Sequence, residues 1–202
     1  MKKFIAAVVA LVTVVTSHAV MFTNVQANAT PPSSTLISGW SFSTPAANAI
    51  QFDAPNAIVG FGQPLSFGTF GLQYDAMTTS GPIFANIVNV TINSGILGDG
   101  YIQFSEQIFE LDNAGNEVGP AIGSISHTFS GSSTGWGGTI TLSRQVQKIR
   151  AKKVFTMFAS QSAVNLAALG TVNQNVQVVP EPATMLALGA GLALVARRRK
   201  SN

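Results

Sequence analysis

The stretch that most limits what this chain can become runs from Asn86 to Asn93. Val88, Val90 and Ile92 fall on one parity there, while Ile87, Asn89, Thr91 and Asn93 fall on the other. A period of two sends alternate side chains to opposite faces, so this is a strand with one buried side. The rest of the central sequence repeats the pattern. Leu36, Trp40 and Phe42 share a parity against Gly39, Ser41 and Ser43, which predicts a first strand with Trp40 in the core. Apolar runs at 50–52, 58–61 and 65–72 are broken by Gly, Pro and Asn and read as short strands and turns. Residues 101–111 enter the turn 112–116 and return through 122–129, a long hairpin. Its first strand changes phase, since Ile102 and Phe104 are even and Phe109 and Leu111 odd, so a bulge is expected between Ser105 and Ile108. Residues 131–138 read as a Gly- and Ser-rich loop carrying Trp136, followed by strands at 139–143, 147–158, 163–169 and 172–178. Frequent turns without helical periodicity predict an all-β fold, an antiparallel β-sandwich or jelly roll.

The two ends follow another logic. Lys2-Lys3 precede an apolar run from Phe4 to Val15, the layout of a secretory signal peptide. Ala27 and Ala29 form an A-x-A cleavage site, with Ser17-His18-Ala19 as a second one nearer the apolar run. Cleavage is expected after Ala29, which divides the chain into a signal helix at 1–29, a β domain at 30–177 and a tail at 178–202. In the tail, Pro180 and Pro182 fix their φ angles around Glu181 and hold the entry extended. A helix then begins at about Pro182, with Glu181 at the positive end of its dipole. The apolar segment from Ala183 to Ala196 spans roughly 21 Å as a helix, against about 30 Å of bilayer hydrocarbon, a short transmembrane anchor. It closes on Arg197, Arg198, Arg199 and Lys200, a basic anchor that the positive-inside rule assigns to the cytoplasm.

The order Pro180-Glu181-Pro182, short apolar helix and terminal Arg cluster resembles the PEP-CTERM sorting signal of Gram-negative bacteria. The resemblance covers only residues 178–202. It implies an exported precursor that is anchored briefly in the inner membrane, processed by an exosortase, and delivered to the cell surface or extracellular matrix of an organism that makes exopolysaccharide and biofilm.

Composition narrows the work of the β domain. Between Thr30 and Val178 the acids outnumber the bases, so the basic whole-chain pI belongs largely to the ends and is no sign of nucleic acid. No cysteine is present, so stability in an oxidising compartment is expected from the core, and a domain of about 150 residues can bury roughly 68–70% of its unfolded surface. His127 is the one histidine after the signal segment and shares parity with Ile125 and Phe129, which makes it a core or strand-face residue. Glu106 and Glu110 are the natural pair for glycan hydrolysis, with Asp112 nearby. In a regular strand their Cα atoms lie about 13 Å apart, whereas catalytic carboxyls stand roughly 5–9.5 Å apart. They read better as surface acids. Asp112, Asn113, Asn116 and Glu117 fail the calcium-loop pattern and read as a turn. No catalytic residue, metal or cofactor is expected. Trp136, among glycines, offers an aromatic face for a sugar ring, and Lys148, Arg150 and Lys152 form a basic row suited to acidic polysaccharide. The leading expectation is a non-enzymatic structural or adhesive surface protein, with a carbohydrate-binding module second and a glycan hydrolase third.

Overall fold

A computed structural model describes residues 20–179. The expected signal helix, the motif Pro180-Glu181-Pro182, the apolar tail and the basic cluster Arg197 to Lys200 lie outside the described residues. The strands are β1 (Val20–Asn28), β2 (Ser41–Ala46), β3 (Ala49–Asp53), β4 (Ile58–Gly60), β5 (Phe67–Thr78), β6 (Ile83–Leu97), β7 (Tyr101–Glu110), β8 (Gly123–Ser130), β9 (Gly135–Val146), β10 (Lys148–Phe158) and β11 (Leu166–Val178). They form two antiparallel sheets. Sheet A has the order β1-β5-β10-β7-β8, and sheet B the order β2-β3-β11-β6-β9, with β4 also pairing to β11.

The alternation that builds these strands also builds the core. Val88, Val90 and Ile92 of β6 are buried, and so are Ile149, Ala151, Phe155 and Met157 of β10 and Val172 and Val176 of β11. These side chains join one hydrophobic cluster between the sheets. Phe155 stands 5.2 Å from Phe70 and 5.1 Å from Phe104 between ring centroids, spacings at which an aromatic pair adds about 0.5–1.5 kcal/mol beyond its burial.

The structure departs from the sequence reading in several places. Leu36 lies in a 3-10 turn, Ser33–Ile37, and not in a strand; its side chain is buried. Trp40 precedes β2 and packs partly buried against the core, stacked on Phe42. Residues 135–138 are the start of β9 and not a loop, because their backbone pairs with residues 88–91 of β6. The last two expected strands are one strand, β11. No bulge interrupts β7. Its register with β8 and β10 is continuous, and Ile102, Phe104, Glu106 and Ile108 all point inward. The apparent change of phase came from a carboxylate at an inward position, from Phe109 lying on the outer side under Lys152, and from Leu111 falling beyond the end of the strand.

Strand β1 lies on the signal side of the expected cleavage after Ala29. From Val20 to Asn28 it pairs with β5, and Ala27 lies opposite Leu72. Val20 is buried, and Ala27 and Ala29 pack against the core. Cleavage after Ala29 removes this strand from sheet A, whereas cleavage after Ala19 leaves it whole.

Candidate functional site

The outer side of sheet A is an open surface of hydroxyl and amide donors and acceptors, with paired charges gathered toward one end. Cross-strand register places Thr69, Thr156, Gln103 and Thr128 in one row, with the Thr69 and Thr156 hydroxyls 3.3 Å apart. Further along, Gln73, Lys152, Gln107 and Ser124 form a parallel row. Ser105, Gln107, Ser124 and Ser126 border an open depression of about 550 Å³. One end of the surface is aromatic. Phe67, Phe158 and Tyr101 are register neighbours on β5, β10 and β7; Phe158 and Tyr101 stack at 5.4 Å, while Phe67 is 51% exposed. Each of these residues sits on the outward parity of its strand, a signal present in the sequence that reading strands one at a time does not assemble.

At the opposite end lies the basic row. Arg150 holds Asp75 through two bonds, Nε to Oδ1 at 2.7 Å and Nη2 to Oδ2 at 2.8 Å. Lys152 pairs with Glu117 at 2.5 Å and stands over the Phe109 ring, while Lys148 donates to Asn113. The hydrogen bond from Lys152 holds the Glu117 carboxyl below its usual pKa, and the bond to Asp75 raises that of Arg150. Arg150 and Lys152 are therefore neutralised locally, which removes most of the field expected to attract a polyanion. Trp136 is not a bare platform either. His127 stacks on it at 4.6 Å and 8°, and Phe104 lies 6.0 Å away. Gly138 makes room for the indole, since a Cβ there would stand 2.5 Å from it.

The two glutamates separate. Glu110 is a surface acid bonded to Arg144. Glu106, expected at the surface, is completely buried, opposite Lys153 of β10, which is buried too. Lys153 Nζ lies 3.4 Å from Glu106 Oε1, 4.4 Å from the Tyr74 ring centroid and 5.6 Å from that of Phe52. Asn86 of β6 donates to Glu106 Oε1 at 2.9 Å, and Gln174 of β11 donates to Oε2 at 3.0 Å. Burial pushes the Glu106 carboxyl up and the Lys153 ammonium down, each toward its neutral form. Asp112 serves the turn, accepting from the Asn116 backbone N–H at 2.8 Å and its side-chain amide at 3.2 Å. The buried cluster was missed, although Glu106 shares parity with Phe104 and Ile108, and Lys153 with Ala151 and Phe155.

The whole is an antiparallel β-sandwich followed by a short terminal signal. Residues 178–200 match the PEP-CTERM protein-sorting motif, so the chain carries the sorting signal of an exported protein that is anchored at its C-terminal end during sorting. No curated protein matches the chain. Solved structures similar to it include a carbohydrate-binding module, TmCBM61, in complex with β-1,4-galactotriose, at 10% identity and a TM-score of 0.36 over 71% of this chain and 92% of that one. A carbohydrate-binding module specific for non-crystalline cellulose matches at 11% identity and a TM-score of 0.32, over 76% and 96% of the two chains. A cleaved adhesin domain of Lys-gingipain from Porphyromonas gingivalis matches at 10% and 0.33, over 78% and 95%.

Proposed function

We propose that this is a non-enzymatic, adhesive surface or matrix protein of a Gram-negative bacterium, delivered by an exosortase, that meets neutral stretches of exopolysaccharide through the outer side of sheet A. One observation carries the reading. Four strands, β5, β10, β7 and β8, present hydroxyl and amide rows that end in Phe67, Phe158 and Tyr101, with Lys152 the one charged member and already paired to Glu117, a combination suited to sugar hydroxyls and to the apolar faces of sugar rings. Trp136 and the basic row contribute less, because their faces and charges already have partners. Retention of the exported protein on its host's purified exopolysaccharide tests this. Phe67→Ala and Tyr101→Ala together should weaken retention by roughly tenfold or more, with each stacked aromatic contributing on the order of 1 kcal/mol. Equal retention by the folded double variant overturns the surface, and release of shortened glycan from bound polymer overturns the non-enzymatic reading.

Delivery is tested by the ends of the surface form. Mass spectrometry should find it starting at Val20, with β1 retained, and lacking the segment from Ala183 onward. An intact 183–202 tail on that form would falsify processing.

A further inference from the structure

Among the described residues, two buried side-chain atoms have no hydrogen-bond partner, and they are chemically complementary: the amine Nζ of Lys153 and the amide oxygen Oδ1 of Asn86. Native cores rarely leave such atoms without a hydrogen bond, and the ion-pair contact of Lys153 with Glu106 does not supply one, so each asks for an explanation. Both side chains converge on one atom. Lys153 Nζ lies 3.4 Å from Glu106 Oε1, and Asn86 Nδ2 donates to that same oxygen at 2.9 Å. We propose that Lys153 Nζ and Asn86 Cγ become joined by an intramolecular amide bond, with Glu106 as the catalytic residue that carries the proton and ammonia as the leaving group.

The step balances within the residues present. The lone pair of the neutral Lys153 amine attacks Asn86 Cγ, and the C=O π electrons move to Oδ1. Glu106 takes a proton from Nζ and delivers one to Nδ2. Collapse of the tetrahedral centre restores the carbonyl, breaks the Cγ–Nδ2 bond and releases ammonia. One C–N bond forms as another breaks, nothing is oxidised, and no co-reactant is required. The surroundings favour each part. Burial shifts Lys153 toward the neutral nucleophile and Glu106 toward the protonated acid, the two forms the transfer starts from. The rings of Tyr74 and Phe52 beside Nζ keep bulk water from competing for the amide carbon. Gln174 is the less available amide, because both its ends are already held: its oxygen accepts from Asn86 Nδ2 at 2.5 Å and its nitrogen donates to Glu106 Oε2 at 3.0 Å. The product would fasten β10 of sheet A to β6 of sheet B, a covalent cross-link through the core of a chain without cysteine. This inference stands apart from the glycan reading.

The test is the intact mass, under denaturing conditions, of the full chain as exported and folded by its host. The mass should fall short of the sequence mass for the observed ends by one ammonia, and proteolysis should yield a branched peptide joining the fragments that carry Asn86 and Lys153. Lys153→Arg and Asn86→Ala should each restore the unshortened mass. Glu106→Ala should keep both reacting groups unlinked. Because that variant can fail to fold, Asn86→Asp provides a second arm, in which the same junction should form with loss of water in place of ammonia. An unmodified mass for the folded wild-type protein, or a branch at Glu106 or Gln174, overturns the proposal.

Discussion

Lys152 and Lys153 are consecutive in β10, yet the pleat sends them into different solvents. Lys152 reaches the outer face, where Glu117 and the Phe109 ring meet it and water remains in contact. Lys153 enters the core opposite Glu106, with both side chains completely enclosed. The two pairs are alike in composition and opposite in consequence. Outside, charge is stabilised by a partner and by water together, and removal of one member leaves the other solvated. Inside, the partner and the amides of Asn86 and Gln174 must replace water entirely, and a missing member leaves the other stranded.

The comparison can be broken most decisively from within. Lys153→Met leaves Glu106 unpaired in the core and should cost about 3–5 kcal/mol in urea denaturation, with Glu106→Leu in the same chain recovering part of that loss. A cost below about 1 kcal/mol would mean that water reaches the cluster. Outside, Asp75→Ala frees Arg150 on the half-buried side of the sheet and should cost on the order of 1 kcal/mol, a difference that shrinks as salt is raised. A salt-independent loss would place that pair with the buried one.

Acid gives the smallest effects and the sharpest contrast in sign. Glu117 is depressed in the folded protein, so its contribution is present above the unfolded value of about 4.3 and is lost as pH falls through the lower folded pKa. Glu106 is raised, so between the unfolded and folded pKa values the folded state holds the extra proton, and acidification favours folding at this site. Glu117→Gln should therefore flatten the acid limb of a stability–pH curve, and Glu106→Gln should steepen it. Changes of the same sign in both variants would contradict the assignment of the two environments.

Much of the sandwich was legible residue by residue. Strands β3, β6 and β10 show their alternation openly, since one face of each is buried and a period of two cannot be hidden. The terminal signal is legible for a similar reason, because two prolines, an apolar run and a cationic end act through local geometry and charge. Leu36 was misassigned because burial in a 3-10 turn depends on what packs above it, here Gly68 of β5.

What a side chain meets across a sheet, or across the core, is not written in its own neighbourhood. From sequence alone, Lys148, Arg150 and Lys152 are a row of cations; Asp75, 75 residues from Arg150, and Glu117 neutralise all but Lys148. Phe67, Tyr101 and Phe158 become one aromatic row only when β5, β10 and β7 come into register. Alternation alone was enough to expect an antiparallel sandwich or jelly roll, because burying one face of a strand is a local demand. It could not say that Glu106 and Lys153 would enter the core together, because the energy that permits either one there comes from the other, from Asn86 and from Gln174, on four strands that meet only in the folded protein.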